Sequence, residues 1–268
     1  MRSPSHRLVA GSTALALLAA ASLASACSQG RAESPPAPRD DELAEPALTG
    51  QEGDDPPDPA SAAPPATGAA GPALLTEVER EMRSMKASTY RHRTHVDEAT
   101  GTFDYDCSGL LRYALGRTAP DALAEVKAAA ARRPRSSEFV AFLLGIPAGG
   151  QQGRWQRVAR VRDLVPGDVI VWLKTAESRS TNTGHTMIVH GTPTPEPTRV
   201  DAFIVPIVDA TEHPHVPGDA RADTHQTGLG QGEIVLLADS AGAPVGYRWS
   251  RGRKSREKAT TIALGRLR

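Results

Sequence analysis

The chain predicts an α+β domain in which N-terminal helices pack on a small antiparallel β-sheet, and two patterns carry that prediction. Apolar residues at helical spacing come first: Leu74, Leu75, Val78, Met82 and Met85, then Leu110, Leu111, Ala114 and Leu115. Short β-branched runs punctuated by Gly, Pro and Asp come afterwards. Helices segregated from strands favour an antiparallel sheet over alternating βαβ units.

An export leader precedes the domain. Arg2, His6 and Arg7 stand before an apolar stretch from Leu8 to Leu23 and the small residues Ala24, Ser25 and Ala26, so residues 1–26 read as a secretory signal peptide. That stretch is short and Ala-rich, and no later segment approaches the ~18 apolar residues of a spanning helix. Small residues directly before Cys27 resemble a bacterial lipobox, which implies a lipidated cysteine and a lipoprotein anchored at the cell-envelope membrane. Ala24-Ser25-Ala26 also suits plain secretion. Residues 27–72 are too rich in Pro, Ala, Gly, Asp and Glu to bury a core, and Pro35-Pro36, Pro56-Pro57 and Pro64-Pro65 make them an extended, disordered spacer. Residues 73–268 remain for one domain of ordinary size.

Within that domain a first amphipathic helix runs through Leu74–Met85, and a second begins at Cys107 and stops near Gly116. The Ala, Glu and Lys content between Pro120 and Arg133 predicts a third, and Ser136–Gly145 a fourth, with serine as its cap. Strands are expected at residues 158–161, 168–173, 186–190, 202–208, 233–238 and 259–264. The 31 Lys and Arg balance the 31 Asp and Glu, which leaves no bulk electrostatic case for nucleic acid. The basic run Arg251–Arg256 is short and lacks interleaved aromatics, so it reads as a solvated turn. A monomer that needs no cofactor is expected.

The chain has two cysteines. With Cys27 assigned to lipid, Cys107 has no disulfide partner in an oxidising compartment, and a reactive thiol is the leading reading. Its position at a helix start favours the thiolate, because unpaired N–H groups and the positive end of the dipole face it. Asp106 is placed as the N-cap, while Ser108 and Gly109 are small enough to leave backbone N–H groups open to an oxyanion. A thiol nucleophile needs a base, and the base needs an orienting group. His185, at the mouth of the strand Thr186–His190, and Asp209, at the end of the run Ala202–Val208, suit those roles. His92, His95 and His190 are alternative bases, His190 being the one that reads as structural.

Taken together, Asp106-Cys107-Ser108-Gly109-Leu110, Leu164-Val-Pro-Gly-Asp168-Val-Ile-Val-Trp172 and the strand-opening Gly184-His185 resemble the NlpC/P60 cysteine peptidases, papain-like Cys-His hydrolases. The resemblance spans roughly Ser88 to Ala210. It implies Cys107 as nucleophile, His185 as general base and Asp209 as the third residue. It also implies Tyr90 beside the active site, and a peptidoglycan stem peptide cut between D-glutamate and diaminopimelate as substrate. The sequence departs from the family in Arg91–His95, in the long Leu115–Val158 stretch, in Thr186-Met187 after the histidine, and in Asp at the third position. Acyl transfer on the same residues, or a non-catalytic envelope-binding lipoprotein, are the alternative functions.

Asp209, His213, His215, Asp219, Asp223 and His225 form a stretch dense in metal-ligand types. Their spacing matches no standard motif, and a polar loop over the cleft is expected in place of a metal site. Arg221 reads as solvated by default, with a substrate carboxylate as its other conceivable partner.

Overall fold

The computed structural model describes residues 70–129, 133–178, 181–224 and 226–268. The signal peptide, Cys27 and the spacer lie outside the described residues. Helix α1 (Ala70–Ser84) opens the domain, three residues before the expected boundary at 73, with Leu74 and Val78 buried. A hairpin of β1 (His95–Asp97) and β2 (Thr102–Asp104) leads into α2 (Cys107–Thr118). Helix α3 (Pro120–Ala129) carries proline at its first position, where the missing N–H costs nothing, and α4 (Ser136–Gly145) follows.

The strands come next: β3 (Gln151–Gln152), β4 (Trp155–Arg157), β5 (Val169–Leu173), β6 (Gly184–Val189), β7 (Thr194–Glu196) and β8 (Arg199–Thr211). After the short helix α5 (Ala220–Thr224) come β9 (Gly228–Ala238), β10 (Pro244–Arg248), β11 (Glu257–Ala259) and β12 (Ile262–Leu267). The α+β class therefore holds. The sheet, however, is not small: ten strands join in the order β11-β10-β9-β8-β6-β5-β12-β4-β3, with β7 on β8, and every ladder is antiparallel. The long strands β8 and β9, in register over ten pairs from Ala202↔Leu237 to Thr211↔Gly228, extend it beyond the expected runs.

Three expectations fail for local reasons. Residues 158–161 form no strand: Val158 and Val161 are buried, but they anchor a 3-10 turn at Val161–Asp163, whose Val161 N–H donates to the Gly242 carbonyl. The run 259–264 splits at Thr260-Thr261, where the Thr260 hydroxyl donates to the Leu173 carbonyl at 2.7 Å. Ser136 is the first residue of α4, not its cap; Arg135 occupies that place, and its N–H is satisfied by the Glu138 carboxylate.

Alternation along β5 divides the core in two. Val169 and Val171 face the helices with Leu110, Leu111, Phe139 and Leu143, whereas Ile170 and Trp172 face Met187, Ile207, Ile234 and Leu236 on the other side. Trp172 stacks on Tyr247 of β10 at 4.0 Å between ring centroids, although four ladders separate β5 from β10. The sheet is accordingly strongly curled, and the mouths of β6 and β8 open on its concave side. Asp168, of the Pro-Gly-Asp run, ties the start of β5 to its neighbour β12 by accepting from Arg266 at 2.7 and 2.8 Å.

Candidate active site

Cys107 is a free thiol at the first position of α2. Asp106 caps the helix as expected, with extended backbone and a carboxylate that accepts from the Gly109 N–H. Burial raises the Asp106 pKa, but His92, Arg112, the Gly109 N–H and Ser108 more than offset it, so the carboxyl sits below its ordinary value. The cap consumes the Gly109 N–H, and the Leu110 N–H bonds the Asp106 carbonyl. The Cys107 and Ser108 N–H groups are thus the ones this turn leaves unspent. The Ser108 side chain is engaged within the helix start, donating to Asp106 at 3.0 Å and accepting from Arg112 at 3.0 Å. Arg112 also donates to the Pro134 carbonyl, which ties α2 to the entry of α4 and brings the Ser136 hydroxyl within 3.8 Å of Cys107 Sγ.

His185 and Asp209 meet because of strand register. The β6–β8 ladder pairs Ile188 with Val208 and Val189 with Ile207, which sets His185 diagonal to Asp209 on one pleated face. His185 Nε2 lies 2.6 Å from Asp209 Oδ2. Burial raises the Asp209 pKa, but the charges of His215 and Arg221 and the hydrogen bonds from His185 and His215 hold the carboxyl well below its ordinary value. An ionised carboxylate only accepts, so His185 Nε2 carries a proton. That leaves Nδ1 as the ring nitrogen not spent on Asp209. Burial lowers the His185 pKa, but the charge of Cys107 and the hydrogen bonds to Asp209 and Cys107 outweigh it and push the imidazole up to about 10.

Two further cations surround the same carboxylate. His215 Nε2 donates to Asp209 Oδ2 at 2.9 Å and Nδ1 to the Trp249 carbonyl at 2.7 Å. Both ring nitrogens of His215 face acceptors. Its ring stacks on Trp249 at 4.2 Å. Arg221 donates to Asp209 Oδ1 at 2.9 Å, to Asp219 at 2.7 Å and to the Gly228 carbonyl at 2.6 Å. The expectation of a solvated or substrate-binding Arg221 is corrected: the side chain is 4% exposed and its fork is spent on internal partners. Strand β9 makes room for both groups. A Cβ on Gly230 would stand 2.6 Å from the Arg221 side chain, and one on Gly232 would stand 2.7 Å from that of His215.

Among the described residues, His185, Asp209 and His215 form the only set of three compact enough to suggest a metal. Their separations are hydrogen-bond lengths and Arg221 adds a positive charge to the same carboxylate, so the set is built to hold protons. The His213-x-His215 pair does not converge: His213 offers its carbonyl to Trp249 and lines the cleft. His225 lies outside the described residues. The stretch from Glu212 to Pro217 instead forms a wall of the cleft, as a polar loop was expected to do.

That cleft, about 760 Å³, is bounded by His185 and Tyr90 on one side and by Trp172, Tyr247 and Trp249 below. Tyr90 therefore shares the site with His185, held by a bridge to Tyr105 and by its N–H on Thr227. Cys107 is 6% exposed and does not itself line the cleft. The alternative bases are elsewhere engaged: His92 sits 3.4 Å from the Asp106 carboxylate, His95 is on the β1 hairpin near Asp104, and His190 pairs with Glu79 at 3.3 Å. Sequence reasoning missed the roles of Arg221, His215, Ser136 and Trp249. The alternating glycines Gly228, Gly230 and Gly232 inside a strand were the available signal, since such a pattern marks close approach of another group.

No protein-family model matches the chain, and no solved structure matches it. An uncharacterized protein, R653, of Acanthamoeba polyphaga mimivirus is 31% identical over 133 residues, a match covering 43% of this chain. The chain spans 59% of that relative's length.

Proposed function

We propose that the chain is a cysteine hydrolase of the NlpC/P60 type that cuts amide bonds in peptidoglycan stem peptides, between D-glutamate and diaminopimelate. The observation that carries the reading is a buried imidazole 2.6 Å from a buried carboxylate, its pKa raised by the charge of a thiol at a helix start. Helix α2 lying on an antiparallel sheet, with the histidine opening a central strand, supports it. Sulfur attacks the carbonyl carbon, and the Cys107 and Ser108 N–H groups receive the oxyanion. His185 passes its Nδ1 proton to the departing amine, leaving a thioester. Water then attacks, giving one proton back to Nδ1 and releasing the acid and the thiolate. Asp209 stays ionised throughout and holds Nε2–H.

A signal peptide, an acylated Cys27 and a Pro-rich tether would place this chemistry at the membrane face of the wall, within reach of its peptides. The test is mass spectrometry of purified muropeptides incubated with the protein and with Cys107→Ala. Cleavage by the wild type that disappears in the variant is expected, and cleavage surviving in the variant overturns the mechanism. An amine-captured acyl product in place of free acid would replace hydrolysis by acyl transfer.

A further inference from the structure

The basic run near the C-terminus, which the sequence offers only as a solvated turn, is not remote from the site. The turn between β10 and β11 forms one rim of the cleft that His185 opens on, with Arg253, Lys254, Arg256 and Lys258 along it and Lys174 also lining the cleft. Among the described residues, five cationic side chains line the cleft against one carboxylate, that of Glu212. A chain with formal net charge +0 has gathered positive charge at the one cleft that reaches its proposed base. Its neighbour Arg251 turns away to pair with Glu233 at 2.8 Å, and Arg253 and Lys254 are exposed with no ion pair among the described residues. Lysines and arginines with such a field attract and orient anions before contact.

We infer that the β10–β11 turn is an anion subsite, and that the peptide cut at Cys107 carries several carboxylates on the side lying against Arg253, Lys254 and Lys258. The inference rests on the hydrolase reading above for its scissile bond. Carboxylates spaced along a peptide fit better than a compact phosphate for two reasons. The cations are distributed over six residues of a turn, with Lys174 supplied by another strand end, and do not converge on one point. Among the described residues lining the cleft none opens a helix, and compact phosphate sites commonly draw on helix N-termini. The aromatic floor of Trp172, Tyr247 and Trp249 gives the uncharged part of the peptide an apolar bed, and the cleft volume suits a short segment.

The test uses Cys107→Ala, so that binding is read without turnover, with tryptophan fluorescence as the signal because Trp172 and Trp249 line the cleft. The probes are acetylated tetraglutamate, acetylated tetraglutamine and inorganic pyrophosphate. Tetraglutamate is expected to bind at least about tenfold more tightly than tetraglutamine at low salt, several exposed charge pairs acting together. That advantage should disappear as salt rises from about 0.01 to about 1 M and the Debye length falls from about 30 to about 3 Å. Adding Arg253→Glu and Lys254→Glu should remove the preference and leave tetraglutamine binding unchanged; both side chains are exposed, and circular dichroism checks the fold. Equal binding of the two peptides, or an undiminished preference in the charge-reversed variant, overturns the subsite. Pyrophosphate binding more tightly than tetraglutamate overturns the carboxylate assignment. A cleft that prefers tetraglutamate in a protein that cleaves no peptide sinks the hydrolase reading and leaves the anion subsite standing.

Discussion

Replacing Arg221 by methionine tests the network behind His185. Arg221 is the most heavily engaged side chain near the site: it spans Asp209, Asp219 and the Gly228 carbonyl at 2.6–2.9 Å and is almost fully buried. Methionine fills similar volume but strands two buried carboxylates and a carbonyl. Removing one partner of a buried ion pair costs about 3–5 kcal/mol, a large share of the roughly 5–15 kcal/mol that a domain has. The pH dependence has a definite sign. The folded-state pKa of Asp209 is depressed, so its stabilising contribution is present above the unfolded value near 3.8 and is lost as pH falls below it. Without Arg221 the depression shrinks, and the gap between wild type and Arg221→Met is widest at neutral pH and narrows toward pH ~3. Urea unfolding at several pH values measures this. A loss under about 1 kcal/mol at pH ~7, or a gap that does not change with pH, would refute the network as drawn.

Three other outcomes are expected. In Cys107→Ala the His185 imidazole should titrate well below its wild-type value of about 10, because the charge of Cys107 is the largest influence raising it; histidine Cε1–H resonances against pH, assigned with His185→Gln, report this. Glu81 is fully buried under the Tyr105 hydroxyl, with Oε1 unpartnered, and burial raises its pKa to about 8. A carboxyl raised in the fold costs stability as pH climbs from its unfolded value toward its folded one. Wild type should therefore lose about 4 kcal/mol between pH ~4.5 and ~8 that Glu81→Gln retains, and parallel urea curves at both pH values would contradict this. Gly232→Ala places a methyl 2.7 Å from the His215 side chain and should displace that ring, seen as loss of the Trp249 stacking signature in near-ultraviolet dichroism with the far-ultraviolet spectrum unchanged.

The sequence made the helices legible because each buries a stripe with 3.6-residue period: Leu74 and Val78 in α1, and Leu110, Leu111, Ala114 and Leu115 in α2, are all buried. It made Asp106, Cys107, His185 and Asp209 legible because each stands at the end of an element, where caps and strand mouths leave short-range marks. The extent of the sheet was hidden. Strand β9 begins Gly-Leu-Gly-Gln-Gly, poor in β-formers, and becomes a strand through ten pairs with β8. Arg221 and His215 were hidden for a related reason. A charged residue in a polar stretch reads as solvated unless its buried partner is known, and here the partner, Asp209, sits at the far end of a strand that precedes the loop. The basic turn is solvated, as its composition suggests; what its composition could not show is that the solvent it faces lies in the cleft.

Why one carboxylate should hold so many donors follows, on the hydrolase reading proposed above, from what the imidazole would do. An orienting aspartate is useful only if it neither takes the histidine proton nor swings away. Arg221 on Oδ1 and His215 on Oδ2 fix both oxygens of Asp209 independently of His185, and their positive charges make protonation of the carboxylate costly. Taken alone, two cations there would drive a proton off His185; Asp219, bonded to Arg221 at 2.7 Å and to the His215 backbone N–H, returns one negative charge to the cluster. With that compensation His185 can remain protonated toward Asp209 while Nδ1 is left to exchange a proton with Cys107. Trp249, set between the two imidazoles at 5.1 and 4.2 Å, then both shields these bonds from water and lines the cleft in which a substrate would rest.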